Sequence, residues 1–477
     1  MPKIRSNFVT VFNHSIRDKD QDVQDSLWEQ ISNPIIENIP DKPEKLVTFL
    51  YRMLPDELDD KTSIYFLSGA AGYTFNENSQ FTIIPGTDIA YISMELPPQL
   101  RTGYNLVKLH DSDRPSAQDD APVTYPRLVG EDASFDLLLG HLFSENRVIT
   151  DPLNENTMTY YKDMDTQDEI YGKESILELP LAPSLTGVSF SCENAKIVRD
   201  HLKEEGRLIE SSVSFSETSL KDLPDYQSTS RKYWIYLPPN YQAHSTTPYP
   251  FMLFLDGSSY LSDIPAHVYL EHLISKGDIP PCIAVFLNYA DGILRTKEYN
   301  CNNHFTQFLC HEFIERLSKE YDLNITTDPN FSTIIGASYS GLAAFYAALS
   351  KPEIFGHCIA QSPSFVAQPL STFDQMIHAA SPQLSHSSFA FEIGTYENNT
   401  MQLEYADGTV QSCSSFGVMN HVYEQMRSEV PTVSLHEFVG GHNYICYRIS
   451  LYDRIREVCQ RQLECTEASV LSSTNGR

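Results

Sequence analysis

The sequence predicts an α/β protein in which a mostly parallel sheet flanked by helices follows a smaller all-β sandwich. Three observations carry this. Apolar residues alternate with polar ones over the first hundred positions, whereas after about Ser230 short β-rich runs alternate with stretches of helical spacing. A strand, a tight turn and a helix meet around Ser338. The 477 residues are 41% hydrophobic and 20% charged, enough to fill one large core or two and outside the range of disordered chains.

In order along the chain, Leu46–Tyr51, Ile64–Leu67, Phe81–Ile84 and Ala90–Met94 read as strands of the sandwich. Pro85-Gly86 and Pro97-Pro98 punctuate them at hairpin spacing. Asp111 to Thr229 is rich in Asp, Ser, Pro and Thr and predicts a long surface connection that contains the domain boundary. Strands of the larger sheet are expected at Tyr233–Leu237, Phe251–Leu255, Ile283–Leu287, Thr333–Ile335, Cys358–Ala360, Phe389–Ile393 and Val433–Val439. Helices are expected at Ala266–Ser275, Phe305–Tyr321, Gly341–Leu349, Gly417–Arg427 and Tyr447–Leu463. The resulting division is an N-terminal β domain with its connecting segment over 1–185, a catalytic domain over 205–465 and a polar, frayed tail over 466–477.

Charge excludes some functions. With 34 basic and 63 acidic residues the formal net charge is −29, which repels nucleic acid and anionic lipid headgroups. No segment approaches the roughly 18 apolar residues of a membrane span. The N-terminus has no uninterrupted apolar region of the kind a signal peptide needs, which predicts a cytoplasmic protein. Nine cysteines without a Cys-x-x-Cys pair predict free thiols rather than a disulfide framework or a zinc ribbon. Neither a His-Glu-x-x-His pattern nor a Gly-Lys-Ser phosphate loop is present, so the chemistry is expected to need no metal and no cofactor.

The sharpest local signal is Gly336-Ala337-Ser338-Tyr339-Ser340-Gly341, placed after the apolar run Thr333-Ile334-Ile335 and before Leu342-Ala343-Ala344-Phe345-Tyr346. A nucleophile elbow needs small residues two before and two after its serine, because neighbouring backbone passes close by. Gly336 and Ser340 are both small, although Ser340 stands where glycine is usual. The turn lifts Ser338 above the sheet at a helix N-terminus, where the amide of Tyr339 can hold a developing oxyanion. A base and an orienting carboxylate should follow in the order acid, then histidine, each at the carboxyl end of a later strand. Glu397 lies just beyond Phe389–Ile393, with Glu404 and Asp407 as local competitors, and His442 lies just beyond Val433–Val439. A second oxyanion amide is expected at Gly257 or Ser258, after the run Phe251–Leu255, with an ordinary Asp-Gly turn as the alternative.

Taken together, these residues resemble the enterochelin esterases (ferric enterobactin hydrolases) within the esterase D group. The marks are Arg231-Lys232-Tyr233-Trp234-Ile235-Tyr236, Leu255-Asp256-Gly257, Arg295 with Glu298 and Asn302, the Ser338 elbow, Gln361-Ser362 and Gly440-Gly441-His442. Gly86-Thr87-Asp88, Asp151-Pro152-Leu153-Asn154 and Leu177-Glu178-Leu179-Pro180 extend it through the N-terminal half. The resemblance implies an immunoglobulin-like sandwich, an α/β-hydrolase domain, and a Ser338–His442–Glu397 triad hydrolysing a small-molecule ester such as an iron-siderophore trilactone. It also implies Arg295 near the substrate, with a surface salt bridge to Glu298 as the alternative, and Phe365 at the pocket. Ser362-Pro363-Ser364-Phe365-Val366 carries a single aromatic where the family has several, and His442 is followed by Asn443 where the family has Asp. An esterase of another acyl or sugar ester, and a binding protein on an inactive hydrolase scaffold, are the alternative functions.

Overall fold

A computed structural model describes residues 6–474 apart from 18, 60, 114–125, 130, 163, 168, 186–187, 189–190 and 224–228. Among the described residues ten strands precede the larger sheet: β1 (Ile35–Asn38), β2 (Lys45–Arg52), β3 (Thr62–Leu67), β4 (Thr82–Ile83), β5 (Ile89–Leu96), β6 (Arg101–His110), β7 (Arg127–Leu128), β8 (Val148–Ile149), β9 (Thr157–Tyr161) and β10 (Ile170–Glu178). All but β7 form one sheet in the order β1-β2-β5-β4 and a second in the order β3-β6-β10-β9, with β8 also on β6. All of these pairings are antiparallel. Val47, Phe49 and Tyr51 of β2 and Ile92 of β5 meet Phe66 of β3, Tyr104 and Leu106 of β6 and Leu177 of β10 in one core, so the two sheets pack face to face.

The other face of β2 is buried too. Leu50 packs against Val9, Phe12 and Ile16, spaced along the Asn7–Ile16 helix so that they share one face. That explains why Leu46–Tyr51 is apolar on both faces. This helix is not among those expected from the sequence; Ser6, whose hydroxyl accepts from Val9 N, starts it.

The segment 111–229 is not a surface connection. It supplies β10, inserted between β6 and β9, and the helix Cys192–Glu204. It also supplies Asp151, a buried carboxylate that accepts from Asn33 Nδ2 (2.8 Å), Tyr104 Oη (2.8 Å) and Leu153 N (2.9 Å). Short strands among Ser, Thr and Asp give little periodic signal when their partners lie far away in sequence.

The larger sheet contains β11 (Leu208–Ser214), β12 (Ser230–Tyr236), β13 (Phe251–Leu255), β14 (Ile283–Leu287), β15 (Ser332–Ala337), β16 (His357–Gln361) and β17 (Ser388–Gly394). A hairpin of β18 (Met401–Glu404) and β19 (Val410–Cys413) follows, and β20 (Thr432–Phe438) closes the sheet. Its order is β11-β12-β14-β13-β15-β16-β17-β20, with the β11–β12 and β12–β14 pairings antiparallel and every pairing from β14–β13 onward parallel. Five of its strands are buried along their whole length, as a sheet covered on both faces requires. One face packs on the Tyr339–Ser350, Leu370–Ala380 and Ser415–Glu429 helices; the other packs on Ala266–Lys276 and the start of Tyr444–Thr474. That last helix runs on into the segment expected to be a polar tail. β7 pairs with β18, so the strand Arg127–Leu128 lies against the C-terminal half.

Candidate active site

Ser338 links β15 to the Tyr339–Ser350 helix with φ 58° and ψ −126°, a backbone conformation that costs a side-chain-bearing residue roughly 1–3 kcal/mol. Its neighbours hold it there. Ser338 N donates to Gln361 O (2.9 Å), and Ser338 O accepts from Ser364 N (3.0 Å) and Leu342 N (3.1 Å). The two small positions of the turn are not equivalent. A Cβ on Gly336 would lie 2.1 Å from Ser340 O, so only glycine fits. Ser340 has room: its hydroxyl donates to Ala337 O (2.7 Å) and accepts from Ala337 N (2.9 Å), so the residue that departs from the usual glycine is fully bonded inside the turn.

The structure brings Ser338, His442 and Glu397 into one hydrogen-bonded chain. Ser338 Oγ is 3.0 Å from His442 Nε2, and His442 Nδ1 is 2.7 Å from Glu397 Oε2. The other carboxylate oxygen accepts from Gly394 N (2.9 Å) and Ser362 Oγ (2.5 Å). The Glu397 side chain is 3% exposed and that of His442 41%, so the chain runs from a buried anion to an accessible imidazole. Tyr447, buried, presents its ring edge-on to the imidazole at 5.7 Å. The competing carboxylates lie elsewhere: Glu404 pairs with Arg127, and Asp407 accepts from Thr409 N in the turn between β18 and β19.

Ser362, Ser364 and Tyr447 were not anticipated as parts of the site. Ser364 Oγ lies 3.2 Å from Ser338 Oγ, and Ser362 anchors Glu397. A serine at the end of a strand beside the elbow strand is the signal that could have found Ser362.

Gly257 and Ser258 open the short helix Gly257–Ser262 after β13, and Tyr339 opens its own helix. Amides in a helix's first turn have no partner within the helix. A Cβ on Gly257 would lie 2.5 Å from the Phe286 carbonyl carbon, so that turn presses directly on β14.

The structure corrects one expected substrate contact and removes the alternative given for another. Phe365 is 1% exposed and stacks edge-on with Phe345, Phe373 and Phe391 in the core, where burial stabilises it by about 1.5–3 kcal/mol. It cannot line a pocket. Arg295 does not pair with Glu298. Its guanidinium forks onto the Asp256 carboxylate (2.9 and 2.6 Å) and lies 5.9 Å from the Tyr339 ring centroid. Glu298 is taken by Arg231 in a wholly buried pair at 2.5 Å, the guanidinium lying over Phe215, Phe305 and Phe308.

Tyr73, Tyr160, Glu174, Asp263 and Tyr444 each retain some exposure while surrounding protein desolvates them and raises their pKa values, that of Asp263 to about 7. The Tyr160 and Tyr444 rings are 6.1 Å apart, and Tyr444 Oη accepts from Ser259 Oγ at 3.3 Å.

Residues 227–458 match the family model described as "Putative esterase". An iron(III) enterobactin esterase of Dickeya dadantii is 22% identical over 461 residues, which cover 91% of this chain and 92% of that protein. A protein of the same description from Escherichia coli K12 is 23% identical over 48% of this chain and 54% of its own length. Among solved structures, the ferric enterobactin esterase of Salmonella typhimurium superposes with a TM-score of 0.65 at 18% identity, over 92% of this chain and all of that one. The Shigella flexneri enterobactin esterase in the presence of enterobactin gives 0.64 at 19% identity, over 91% and 98%. At these identities the structural likeness is one of fold.

Proposed function

We propose that this chain, a carboxylic ester hydrolase with an esterase-family domain over residues 227–458, cleaves its ester with Ser338 as nucleophile, His442 as base and Glu397 as the carboxylate that orients the base. The observation that carries the reading is the continuous Glu397–His442–Ser338 chain at 2.7 and 3.0 Å. His442 Nε2 takes the Ser338 proton as Oγ attacks the ester carbonyl, and Glu397 keeps the second imidazole proton on Nδ1. The amides of Tyr339 and of Gly257 or Ser258 receive the oxyanion. His442 then protonates the leaving alcohol, and water releases the acyl group by the same steps.

The proposed substrate is a siderophore ester of the kind named for the relatives, its iron released when the ester backbone opens. Support comes from the partly exposed Tyr160 and Tyr444 rings, 6.1 Å apart, which offer faces to aromatic groups. The N-terminal sheets are read as an immunoglobulin-like sandwich within 1–185, residues 205–465 as an α/β-hydrolase domain, and the protein as cytoplasmic. One observation favours a second substrate reading: Asp256 occupies the Arg295 guanidinium. With the net charge of −29, this favours an acyl or sugar ester over a multiply anionic iron complex. Fluorophosphonate labelling and hydrolysis of p-nitrophenyl esters, iron-free enterobactin and ferric enterobactin, with Ser338→Ala beside the wild type, test both. Serine-dependent opening of the trilactone supports the siderophore, turnover of simple esters alone moves the substrate, and absence of labelling refutes the triad.

A further inference from the structure

We infer that Thr102, at the start of β6, is a positioning residue for His442, acting through Asn443, so that the N-terminal sheets complete the proposed active site. The inference rests on the triad reading above.

The contact is made by main chain and side chain together. Arg101 N donates to Val439 O at 3.1 Å, immediately before the Gly440-Gly441-His442 loop. Cys446 Sγ donates to Arg101 O at 3.2 Å. Gly440 is pinched between them: a Cβ there would lie 2.5 Å from Cys446 Sγ and 2.7 Å from Arg101 O. Arg101 is itself fixed to the second sheet by its 2.6 Å bond to Glu178.

The side chain of Asn443 spans the remaining gap. Its Oδ1 accepts from Cys446 N (3.1 Å) in the first turn of the Tyr444–Thr474 helix, and its Nδ2 donates to the buried Thr102 Oγ1 (3.2 Å). Its backbone N donates to Gly441 O (3.0 Å), which holds His442 at the tip of a tight turn. One amide therefore joins the N-terminal sheet, the helix start and the residue next to the imidazole. Proton transfer needs the ring within a few tenths of an ångström of its place, and a misplacement of about 1 Å costs roughly a hundredfold. Thr102 touches none of the reacting atoms; it limits where the loop can sit.

The test uses full-length protein and p-nitrophenyl esters. Thr102→Val keeps the shape of the side chain and removes the hydroxyl. The expected result is a kcat about tenfold lower at unchanged KM, a displaced pH–rate profile and a matching fall in the fluorophosphonate labelling rate, with Thr102→Ser restoring all three. A merely structural role predicts a lower melting temperature with wild-type kcat and pH profile per folded molecule; that result overturns the inference and leaves the triad intact. If Thr102→Val does not fold, Asn443→Ala carries the test, with the same loss of kcat expected and a wild-type kcat overturning the inference. Wild-type protein without Ser338-dependent turnover overturns the triad reading and this inference with it.

Discussion

Glu397→Gln is the substitution whose outcome the geometry constrains most. The carboxylate has two distinct ends: Oε2 faces the His442 Nδ1 position, while Oε1 accepts from both Gly394 N and Ser362 Oγ. A glutamine amide has one oxygen, and the end held by two donors claims it. The reverse orientation sets the amide NH2 against the Gly394 N–H and forces Ser362 to turn, leaving a buried donor unpaired at about 1–3 kcal/mol. The amide NH2 therefore faces Nδ1, which becomes an acceptor, and the neutral imidazole carries its proton on Nε2, pointing at Ser338. A protonated Nε2 cannot take the serine proton. The expected loss in kcat is about 10⁴-fold with little change in fold, or roughly 5–6 kcal/mol of transition-state stabilisation. Steady-state hydrolysis of a p-nitrophenyl ester measures the loss, and ¹⁵N spectra of the His442 ring read the tautomer. A variant within tenfold of wild type, or one that keeps the proton on Nδ1, refutes the reasoning.

Three further outcomes follow from the packing around buried groups. Gly336→Ala places a methyl 2.1 Å from the Ser340 carbonyl oxygen and should abolish both fluorophosphonate labelling and most of the folded yield, measured by titration of soluble protein. Glu298→Gln leaves the Arg231 charge buried under three aromatic rings and should cost about 3–5 kcal/mol in urea unfolding, whereas Arg231→Met with Glu298→Leu should recover much of it. Burial pushes the Glu392 carboxyl up to about 7 against an ordinary value of 4.5. Its folded form thus holds a proton that its unfolded form has lost, and stability falls as pH rises from about 4.5 to 7. Glu392→Gln should flatten the melting temperature across that window, and an unchanged slope contradicts the assignment.

Elements with a strong local period were legible in the sequence, and those defined by distant partners were not. Phe251–Leu255 and Ile283–Leu287 agree residue for residue with β13 and β14, because buried parallel strands are uninterrupted apolar runs bounded by turns. β10 and β11 escaped because Ser, Glu and Lys interrupt their apolar residues and their pairing decides their state. In the site, the strand-turn-helix around Ser338 and the loops after β17 and β20 were readable from order and spacing alone. Phe365 was misplaced because an aromatic beside a site looks the same in sequence whether it lines a pocket or plugs the core. The alternative of a salt bridge from Arg295 to Glu298 fails for a related reason: Glu298 is three residues away on the Gly292–Tyr299 helix, but Asp256 reaches Arg295 from another strand end.

The bond from Cys446 to Arg101 joins residues 345 positions apart, and it fixes an order of events during synthesis. The first sheets can be complete long before the final helix leaves the ribosome, and they wait with the Arg101 carbonyl and the Thr102 hydroxyl unused. Ser338 and its strained turn follow, still without the proposed base. Only when residues 439–446 emerge and seat against β6 does the imidazole acquire a fixed position. Long-range closure of this kind is slow, and here it falls at the end of assembly. If Ser338 and His442 act as proposed, an unfinished or truncated chain would display the serine without its base, and ester-cleaving capacity would appear only in the whole molecule.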